Sequence, residues 1–430
     1  MNKSPVLQIY KRPHIWAITC LSFSCGLPFL LIVSTLPIWL KDVNCSLEQI
    51  GYIFLISIPY SLKFLWAPLI DQVKLPVLTK KLGQRRSWAL CAQMLLMLAA
   101  LGLASSRPEI NIHITAVFAF LVSFFAATQD IVLDAYRIDR LSDEELSIGT
   151  SMSGIGFKLG LLVSGGGSIY LANYYDWQAV YSFMVLLMII GPIMILLIKE
   201  PDTKASSDSR ITELYKITGS SLWGYLRHVF QSFLNIRHYR GWVYIILFIL
   251  LFKISDSIPN STNSLLFMDL GYDKIQIGNA KTIGLVMQIF GTFMGGIILA
   301  RTATLLRGLM YCGLMQILSP LILLAMVSID QNWVVLLVAA GLQNLLCGLG
   351  STAFVTYLSS LCSGGFTATQ FSVLYSFSSA SRIILSSSAA WLLAGFTIGW
   401  GPFYLYTFLL SVLFIFPIIK LQRIAGRNNA

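Results

Sequence analysis

The sequence predicts an all-α integral membrane protein in which 12 transmembrane helices form two pseudo-symmetric bundles of six. Three observations predict this class. The 430 residues are 56% hydrophobic and only 11% charged, whereas soluble domains carry about 25% charged residues. The apolar residues fall in stretches long enough to cross a hydrocarbon core about 30 Å thick. One loop of the first half also recurs in the second half.

The order of the apolar stretches defines the predicted domains. Each stretch is expected to be a helix, because lipid offers no partners to the backbone groups of an open strand. Six stretches lie in residues 1–198, a polar connector occupies 199–240, and six more lie in 241–430. The predicted spans are 15–40, 49–70, 87–105, 112–136, 148–172, 179–198, 241–268, 278–300, 306–327, 332–358, 367–395 and 399–420.

Basic residues lie mostly on one side of the predicted membrane. The N-terminus, every second loop, the connector and the C-terminal tail hold 22 of the 30 Lys and Arg residues, whereas the opposite side holds 3. Because Lys and Arg concentrate in cytoplasmic loops, both termini are predicted to be cytoplasmic. The same distribution explains the net charge of +11, so binding of nucleic acid is not expected.

An internal repeat indicates that the two halves are related. Segment 42–51 reads DVNCSLEQIG and segment 269–278 reads DLGYDKIQIG, with four identities at a constant offset of 227. Ser46 and Asp273 are suitable N-caps for the helices that follow. Convergent loop chemistry is the alternative explanation. A duplicated six-helix unit joined by a cytoplasmic connector resembles the two parallel halves of major-facilitator transporters.

Ionisable side chains are few in the predicted spans, where they are costly and usually line a pathway. Five cations face three carboxylates, so a central cavity lined by them would be net positive and suited to an anion. They are Lys63, Lys158, Lys253, Lys281 and Arg382, with Asp130, Asp134 and Asp256. Lys158 and Arg382 occupy comparable places in the two halves and are predicted to bind anions. Lys281 lies near the outer end of its span and can reach the interface.

Two pairs of charged residues have helical spacing. Asp130 and Asp134 are four apart and share a face, so their mutual repulsion favours one protonated carboxyl group. Such a group can couple proton flow to substrate movement. Arg137, one turn beyond, is expected to pair with Asp134, and a structural ion pair is the alternative reading. Lys253 and Asp256 are three apart, so they either satisfy each other or bind substrate.

Other kinds of site are not indicated. The seven cysteines are odd in number and show no CxxC spacing, which predicts neither a disulfide framework nor a metal site. All four histidines lie in loops or at span edges. No catalytic residue and no cofactor are therefore predicted. An intramembrane acyl- or glycosyltransferase is the alternative from another class, but it would need a His or paired acids beside a soluble catalytic loop.

Four segments resemble the AmpG-type muropeptide permeases. Segment 60–71, YSLKFLWAPLID, is similar to the family's YxxKFLWxPLxD, and segment 127–136, ATQDIVLDAY, is similar to its (S/T)QDIxxDA signature. FKISD at 252–256 and FTATQF at 366–371 match as well. The matches follow in order over nearly the whole chain.

The resemblance implies proton-driven import of N-acetylglucosaminyl-1,6-anhydro-N-acetylmuramyl peptides across the bacterial inner membrane for cell-wall recycling. It also implies a monomer in the lipid bilayer with no cofactor. Acetyl-CoA or a phosphorylated metabolite is the alternative cargo. The predicted roles are proton coupling by Asp130 and Asp134, substrate binding by Lys63, Gln129, Lys158, Lys253, Asp256 and Arg382, and gating by Asp71, Arg85, Arg86 and Arg137.

Two departures from the family pattern lie next to the predicted gating residues. Gln72 occupies a position where the family usually has Arg, and the following loop, 74–84, is longer. Both features lie in the segment that joins Asp71 to Arg85. The resemblance therefore does not define the contacts of these two side chains.

Overall fold

The computed structural model describes residues 5–45, 54–201, 241–329, 331–362, 366–395 and 399–428, and the regular structure in these ranges is helical. We number the helices that correspond to predicted spans from α1 to α12. They are α1 Pro13–Asp42, α2 54–72, α3 Gln84–Ala104, α4 Ile112–Arg140, α5 Leu146–Leu171, α6 Trp177–Leu197, α7 Trp242–Asp269, α8 Lys274–Arg301, α9 Leu305–Val327, α10 Trp333–Ser360, α11 Thr367–Gly395 and α12 Trp400–Ala425. Two short helices, Pro5–Ile9 and Leu78–Leu82, lie outside the spans.

Ten of these helices, within the described ranges, are long and apolar enough to cross a membrane. The other two are α2, which is broken into short pieces, and α11, which continues for 29 residues. The count of 12 spans and the cytoplasmic termini stay predictions. The predicted N-cap Ser46 and the connector beyond residue 201 lie outside the described residues.

Several helices are interrupted, and at these places a side chain of a neighbouring helix donates a hydrogen bond to a backbone carbonyl. In α7, Pro259 has no N–H to donate to the carbonyl of Ser255, and the Ser319 hydroxyl of α9 donates to that carbonyl at 2.8 Å. In α1 and α5 the interruptions are π-helical turns. There the Thr35 hydroxyl of α1 donates to the carbonyl of Ser164 at 3.0 Å.

The chain divides into two compact units. Unit 1 consists of Met1–Ser142, Met152–Val229 and Cys362–Ser372, and unit 2 consists of Asp143–Ser151, Phe230–Leu361 and Val373–Ala430. Unit 1 thus includes a short segment of the second half of the sequence, Cys362–Ser372, and unit 2 includes a short segment of the first half, Asp143–Ser151. The domain boundaries predicted at 198 and 241 stay predictions.

One long-range contact recurs in both units. The indole N–H of Trp177, at the start of α6, donates to Asp42 at the end of α1 over 2.8 Å. The indole N–H of Trp400, at the start of α12, donates to Asp269 at the end of α7 over 3.0 Å. The two aspartates begin the repeated loop segments of the sequence, so a duplicated helical unit accounts for both contacts.

Side chains cap several helix starts, and the N-cap predicted at Asp273 is confirmed. Asp273 forms a capping box with Gln276: its carboxylate accepts the Gln276 N–H at 2.7 Å, and the Gln276 side chain accepts the Asp273 N–H at 3.1 Å. The Asn111 side chain accepts N–H groups of the first turn of α4, and the Asn332 side chain accepts one of the first turn of α10. These caps satisfy N–H groups that a helix leaves without partners at its first turn.

Small residues permit close approach of helices in each unit. A Cβ atom at Gly156 of α5 would lie 2.1 Å from the Thr19 carbonyl oxygen of α1, and one at Gly348 of α10 would lie 2.3 Å from the Gln288 carbonyl oxygen of α8. Neither position has room for a side chain. The small residues near Lys158 therefore serve helix packing, as is common in membrane proteins.

Candidate functional site

Helix α2 is interrupted at Lys63. Pro59 lies in the first turn of one short helix and Pro68 in the first turn of the next, which are positions where proline is tolerated. Lys63 begins a 3₁₀ turn between these two helices. The break places its ammonium group beside α4, where only 3% of the Lys63 side chain is exposed.

Four charged side chains meet beside α4, and we call them the carboxylate cluster: Lys63, Asp130, Asp134 and Arg137. The Lys63 Nζ atom lies 2.7 Å from Asp130 Oδ2 and 3.9 Å from Asp134 Oδ2. Arg137 Nη2 lies 3.1 Å from Asp134 Oδ1, so the predicted pair is present. The Arg137 guanidinium also lies 5.4 Å from the ring centroid of Phe371. All of these contacts lie within unit 1.

The cluster buries its cations more deeply than its anions. The Lys63 and Arg137 side chains are 3% and 5% exposed, whereas those of Asp130 and Asp134 are 24% and 21% exposed. The carboxylates are thus the members that a proton can reach. Because a buried ammonium group is costly without a counter-charge, a proton on Asp130 changes the energy of Lys63 directly.

A second group of residues, here named the gate cluster, surrounds the guanidinium of Arg85. Arg85 Nη1 lies 2.8 Å from Asp71 Oδ1, and Arg85 Nε lies 2.9 Å from Asp139 Oδ2. Arg85 Nη2 donates to the Thr367 hydroxyl at 2.9 Å. The three charged side chains are between 0% and 5% exposed. We include Thr369 in the cluster because it binds the same Asp71.

The Asp71 carboxylate lies at the N-terminus of α11. Its Oδ2 atom accepts the Thr369 backbone N–H at 2.8 Å and the Thr369 hydroxyl at 2.6 Å. The helix dipole stabilises a negative charge at this position. Gln84, at the end of the longer loop, donates to the Asp71 carbonyl at 2.7 Å.

Burial, assisted by the charge of Asp139, raises the pKa of the neighbouring Cys362 thiol, so that this thiol stays neutral.

Arg86 makes different contacts from Arg85. Its Nε and Nη2 atoms donate to the carbonyls of Ile195 and Leu196 at 2.9 and 2.8 Å. These carbonyls belong to the last turn of α6, where a cation satisfies groups without helical partners. The structure therefore brings together Asp71 and Arg85, places Arg86 at α6, and places Arg137 in the carboxylate cluster. The gating roles of all four residues stay predictions.

Glu200 holds the first turn of α3, which carries both arginines. Its two carboxylate oxygens accept the backbone N–H groups of Arg85 and Arg86 at 2.7 and 3.0 Å. Gly83 precedes them with φ +87°, and a Cβ atom there would lie 2.3 Å from the Glu200 Cδ atom. Glycine is therefore required both for the backbone conformation and for the approach of the carboxylate.

We expect Glu200→Ala to lower the stability of the purified protein by about 1 kcal/mol, the usual cost of losing an N-terminal cap. Glu200→Gln keeps the size and one acceptor oxygen, so it should lose less. Thermal unfolding in detergent measures both variants. Equal melting temperatures for the wild type and Glu200→Ala would contradict the capping role.

In unit 2, α7 is interrupted at Lys253, which separates Trp242–Phe252 from Ile254–Asp269. The Lys253 ammonium lies 3.1 Å from Asp256 Oδ2 and 4.9 Å from the ring centroid of Phe354. The predicted ion pair is therefore present, and the role of the two residues in substrate binding stays a prediction.

The remaining predicted substrate residues are Lys158, Arg382 and Gln129. Lys158 is half-buried on α5 of unit 1, and Arg382 is exposed on α11 in unit 2. Gln129 is completely buried, and its amide donates to the side chain of Gln93 on α3. The role of Gln129 in substrate binding stays a prediction, since in this structure its amide joins two helices.

Some residues of the site were not singled out from the sequence. Thr367 and Thr369 lie in the FTATQF segment that carries part of the family resemblance, so a signal was present for them. Asp139 and Glu200 had no such signal. Asp139 follows the signature of α4 by several residues, and Glu200 meets Arg85 from 115 positions away in the chain.

The comparisons with known proteins agree with this architecture. A model of the Major Facilitator Superfamily matches residues 17–315. The proton:xylose symporter XylE superposes with a TM-score of 0.66 at 13% identity, covering 94% of this chain and 95% of that structure. The fucose:proton symporter FucP of Escherichia coli has a TM-score of 0.68 at 13% identity, covering 95% and 98%. These likenesses establish the fold.

Proteins of similar sequence show to which family of this fold the chain belongs. The relative named transporter AmpG 3 of Rickettsia prowazekii is 38% identical over 95% of both chains. The anhydromuropeptide permease of Escherichia coli is 33% identical over 94% of this chain and 79% of its own. The family is one of transporters rather than enzymes. The chain belongs to the major facilitator superfamily and, within it, to the AmpG-type permeases.

Proposed function

We propose that this multi-pass protein of the bacterial inner membrane imports N-acetylglucosaminyl-1,6-anhydro-N-acetylmuramyl peptides together with protons, as a monomer, for the recycling of peptidoglycan. Support for the cargo comes from the permease of Escherichia coli, whose similarity extends over 94% of the chain. Support for proton coupling comes from the carboxylate cluster.

The observation that carries the coupling is the contact between Lys63 and Asp130 at 2.7 Å. When Asp130 is protonated, Lys63 loses its closest counter-charge, while the Asp134 carboxylate lies farther away, at 3.9 Å. The local charge becomes more positive, which favours the binding of an anion. Proton binding and anion binding then strengthen each other, and thermodynamic linkage makes this effect reciprocal. The peptide carboxylates of the cargo supply the anion.

Gating is assigned to the gate cluster. Its three charged side chains are buried, and Asp71 bonds the first turn of α11 through Thr369. Charge-assisted hydrogen bonds of this kind are stronger than neutral ones. A movement of α11 away from α2 must break them together, so they favour one position of the helix until substrate and proton binding offset their cost.

We expect Lys158→Ala and Arg382→Ala each to weaken equilibrium binding of anhydromuropeptide by about tenfold or more. A hydrogen bond to a charged group contributes about 1.5–3 kcal/mol, and about 1.4 kcal/mol corresponds to a tenfold change in affinity. Isothermal titration of purified protein measures the change.

Lys281→Ala is the matched control for these two variants. Lys281 carries the same charge in a predicted span, but it lies near the outer end of α8, where it can reach the interface. Its affinity should equal that of the wild type. Normal binding and normal transport by both Lys158→Ala and Arg382→Ala would show that these cations do not recognise the cargo.

The identity of the cargo is tested by competition. Labelled anhydromuropeptide should bind to the purified permease and be displaced by unlabelled anhydromuropeptide but not by acetyl-CoA. Displacement by acetyl-CoA with equal or better affinity would favour transport of that anion. Recovery of chemically altered muropeptide after incubation would instead indicate an enzyme.

A further inference from the structure

Carboxamide side chains of α7 and α10 form a connected group in unit 2, in addition to the charged pair of α7. Asn260 Nδ2 donates to Asp256 Oδ1 at 2.6 Å. Gln343 Nε2 of α10 donates to Asn260 Oδ1 at 3.3 Å, and Asn263 Nδ2 donates to Gln343 Oε1 at 3.5 Å. We call Asn260, Asn263 and Gln343 the amide group.

The members of this group differ in exposure. Gln343 is 0% exposed, Asn263 is 8% exposed and Asp256 is 9% exposed, whereas Asn260 is exposed. The Asn260 amide thus has a fixed orientation, because one buried residue accepts from its nitrogen and another donates to its oxygen. An amide has two N–H donors and two acceptor lone pairs. The contacts of Asn260 with described residues use one donor and one lone pair, so one of each can bind a ligand.

The exposed side of Asn260 is not the side of α7 that suits lipid. Within the continuous helix Ile254–Asp269, at 3.6 residues per turn, Asn260 lies on the same face as Asp256. The exposed large apolar side chains of this helix are Leu265 and Met268, and they lie about 140° and about 80° away from Asn260 around the helix axis. An amide that faced lipid would be expensive, so the face of Asn260 is expected to meet water or a polar ligand.

Packing of helices alone does not account for the exposed amide. Hydrogen bonds between polar side chains do join membrane helices, and the buried pair Asn263 and Gln343 performs that role. Asn260 is exposed and has one N–H donor and one acceptor lone pair beyond its contacts with Asp256 and Gln343 among the described residues. A fixed amide that offers both groups at once is complementary to hydroxyl and acetamido groups, and it offers no charge to a carboxylate.

We propose that Asn260 is the contact residue of a subsite for the neutral amino-sugar part of the cargo, with Asp256 and Gln343 as its positioning residues. The inference rests on the proposed function, because it assigns two parts of the same cargo to two different kinds of binding residue. The peptide carboxylates bind cations elsewhere, and the sugar hydroxyl or N-acetyl groups bind Asn260. Lys253 then serves mainly to balance the charge of Asp256.

The test is displacement of labelled anhydromuropeptide from purified full-length protein by two partial ligands, N,N′-diacetylchitobiose and the free stem peptide. In the wild type both should compete. In Asn260→Ala, affinity for anhydromuropeptide should fall about tenfold, the upper range for one hydrogen bond between neutral groups. Competition by the chitobiose should disappear, while competition by the stem peptide should stay within about twofold of the wild type.

Asn344→Ala is the matched control, because Asn344 neighbours Gln343 but donates to Ala340 on its own helix at 2.9 Å. It should bind both partial ligands normally. Gln343→Met removes the contact with Asn260 and also the contact with Asn263. At a matched melting temperature it should give a weaker form of the Asn260→Ala defect, again confined to the sugar ligand.

Three results would overturn the subsite. One is unchanged competition by the chitobiose in Asn260→Ala. Another is a parallel loss for both partial ligands together with a lower melting temperature, which is the pattern of a purely structural amide. A third is an equal defect in Asn344→Ala. Failure of the wild type to bind anhydromuropeptide would instead refute the proposed function, so the two failures are distinguishable.

Discussion

Asp130→Asn should abolish uptake driven by a pH gradient while leaving equilibrium binding of the cargo measurable. Asparagine keeps the shape of the side chain and an oxygen for Lys63, 2.7 Å away in the native contact, but it cannot exchange a proton. A gradient of about one pH unit is worth about 1.4 kcal/mol per proton, or roughly tenfold accumulation. The variant should lose that factor and only equilibrate substrate across the membrane.

Variants of the second carboxylate give the control for this prediction. Asp134→Asn should be milder, because Asp134 pairs with Arg137 at 3.1 Å and lies farther than Asp130 from Lys63. The double variant should be non-additive, since both residues contact Lys63. Gradient-driven uptake is to be compared with equilibrium binding at matched yield. Undiminished uphill uptake by Asp130→Asn would remove Asp130 from the mechanism, and parallel loss of folding, binding and transport would assign it a structural role.

Arg85→Leu should be the most destabilising single change in the gate cluster. It leaves the carboxylates of Asp71 and Asp139 buried, at 0% and 5% exposure, without their shared cation. Breaking a buried ion pair in this way costs about 3–5 kcal/mol. We expect a large loss of folded protein, seen as low yield and a lower melting temperature in detergent.

Two comparisons separate this effect from a simple loss of charge. Arg86→Leu removes the same charge next to Arg85. The Arg86 guanidinium donates to backbone carbonyls of α6 rather than to carboxylates among the described residues, so its effect should be much smaller. The neutral triple variant Arg85→Leu, Asp71→Asn, Asp139→Asn should recover part of the lost stability, because no buried charge is left unpaired. A wild-type melting temperature for Arg85→Leu would contradict the importance of this cluster.

The helical architecture and the local ion pairs were readable from the sequence because both depend on short-range spacing. Asp134 lies in the α4 signature and Arg137 directly follows it, three residues from Asp134, and a helix brings such residues together. The same reasoning applied to Lys253 and Asp256, which lie 3.1 Å apart in the structure. Hydropathy located the spans because lipid leaves helices as the available structure.

The contacts between helices were not readable in this way. Lys63 was predicted to bind substrate, and its contact with Asp130 depends on how α2 breaks and packs against α4. Likewise, the sequence RR at the start of α3 gives no reason for Arg85 to bind carboxylates and Arg86 to bind carbonyls. That difference arises because successive side chains of a helix point in directions about 100° apart.

The coupling of cargo to protons is tested most directly by uptake of radiolabelled anhydromuropeptide into proteoliposomes that contain the purified wild-type protein. With the outside more acidic by about one pH unit, the account predicts accumulation roughly tenfold above equilibrium for each proton carried. A protonophore should collapse this accumulation, and Asp130→Asn should never reach it. Absence of uptake, or accumulation that does not respond to the pH gradient, would contradict the account.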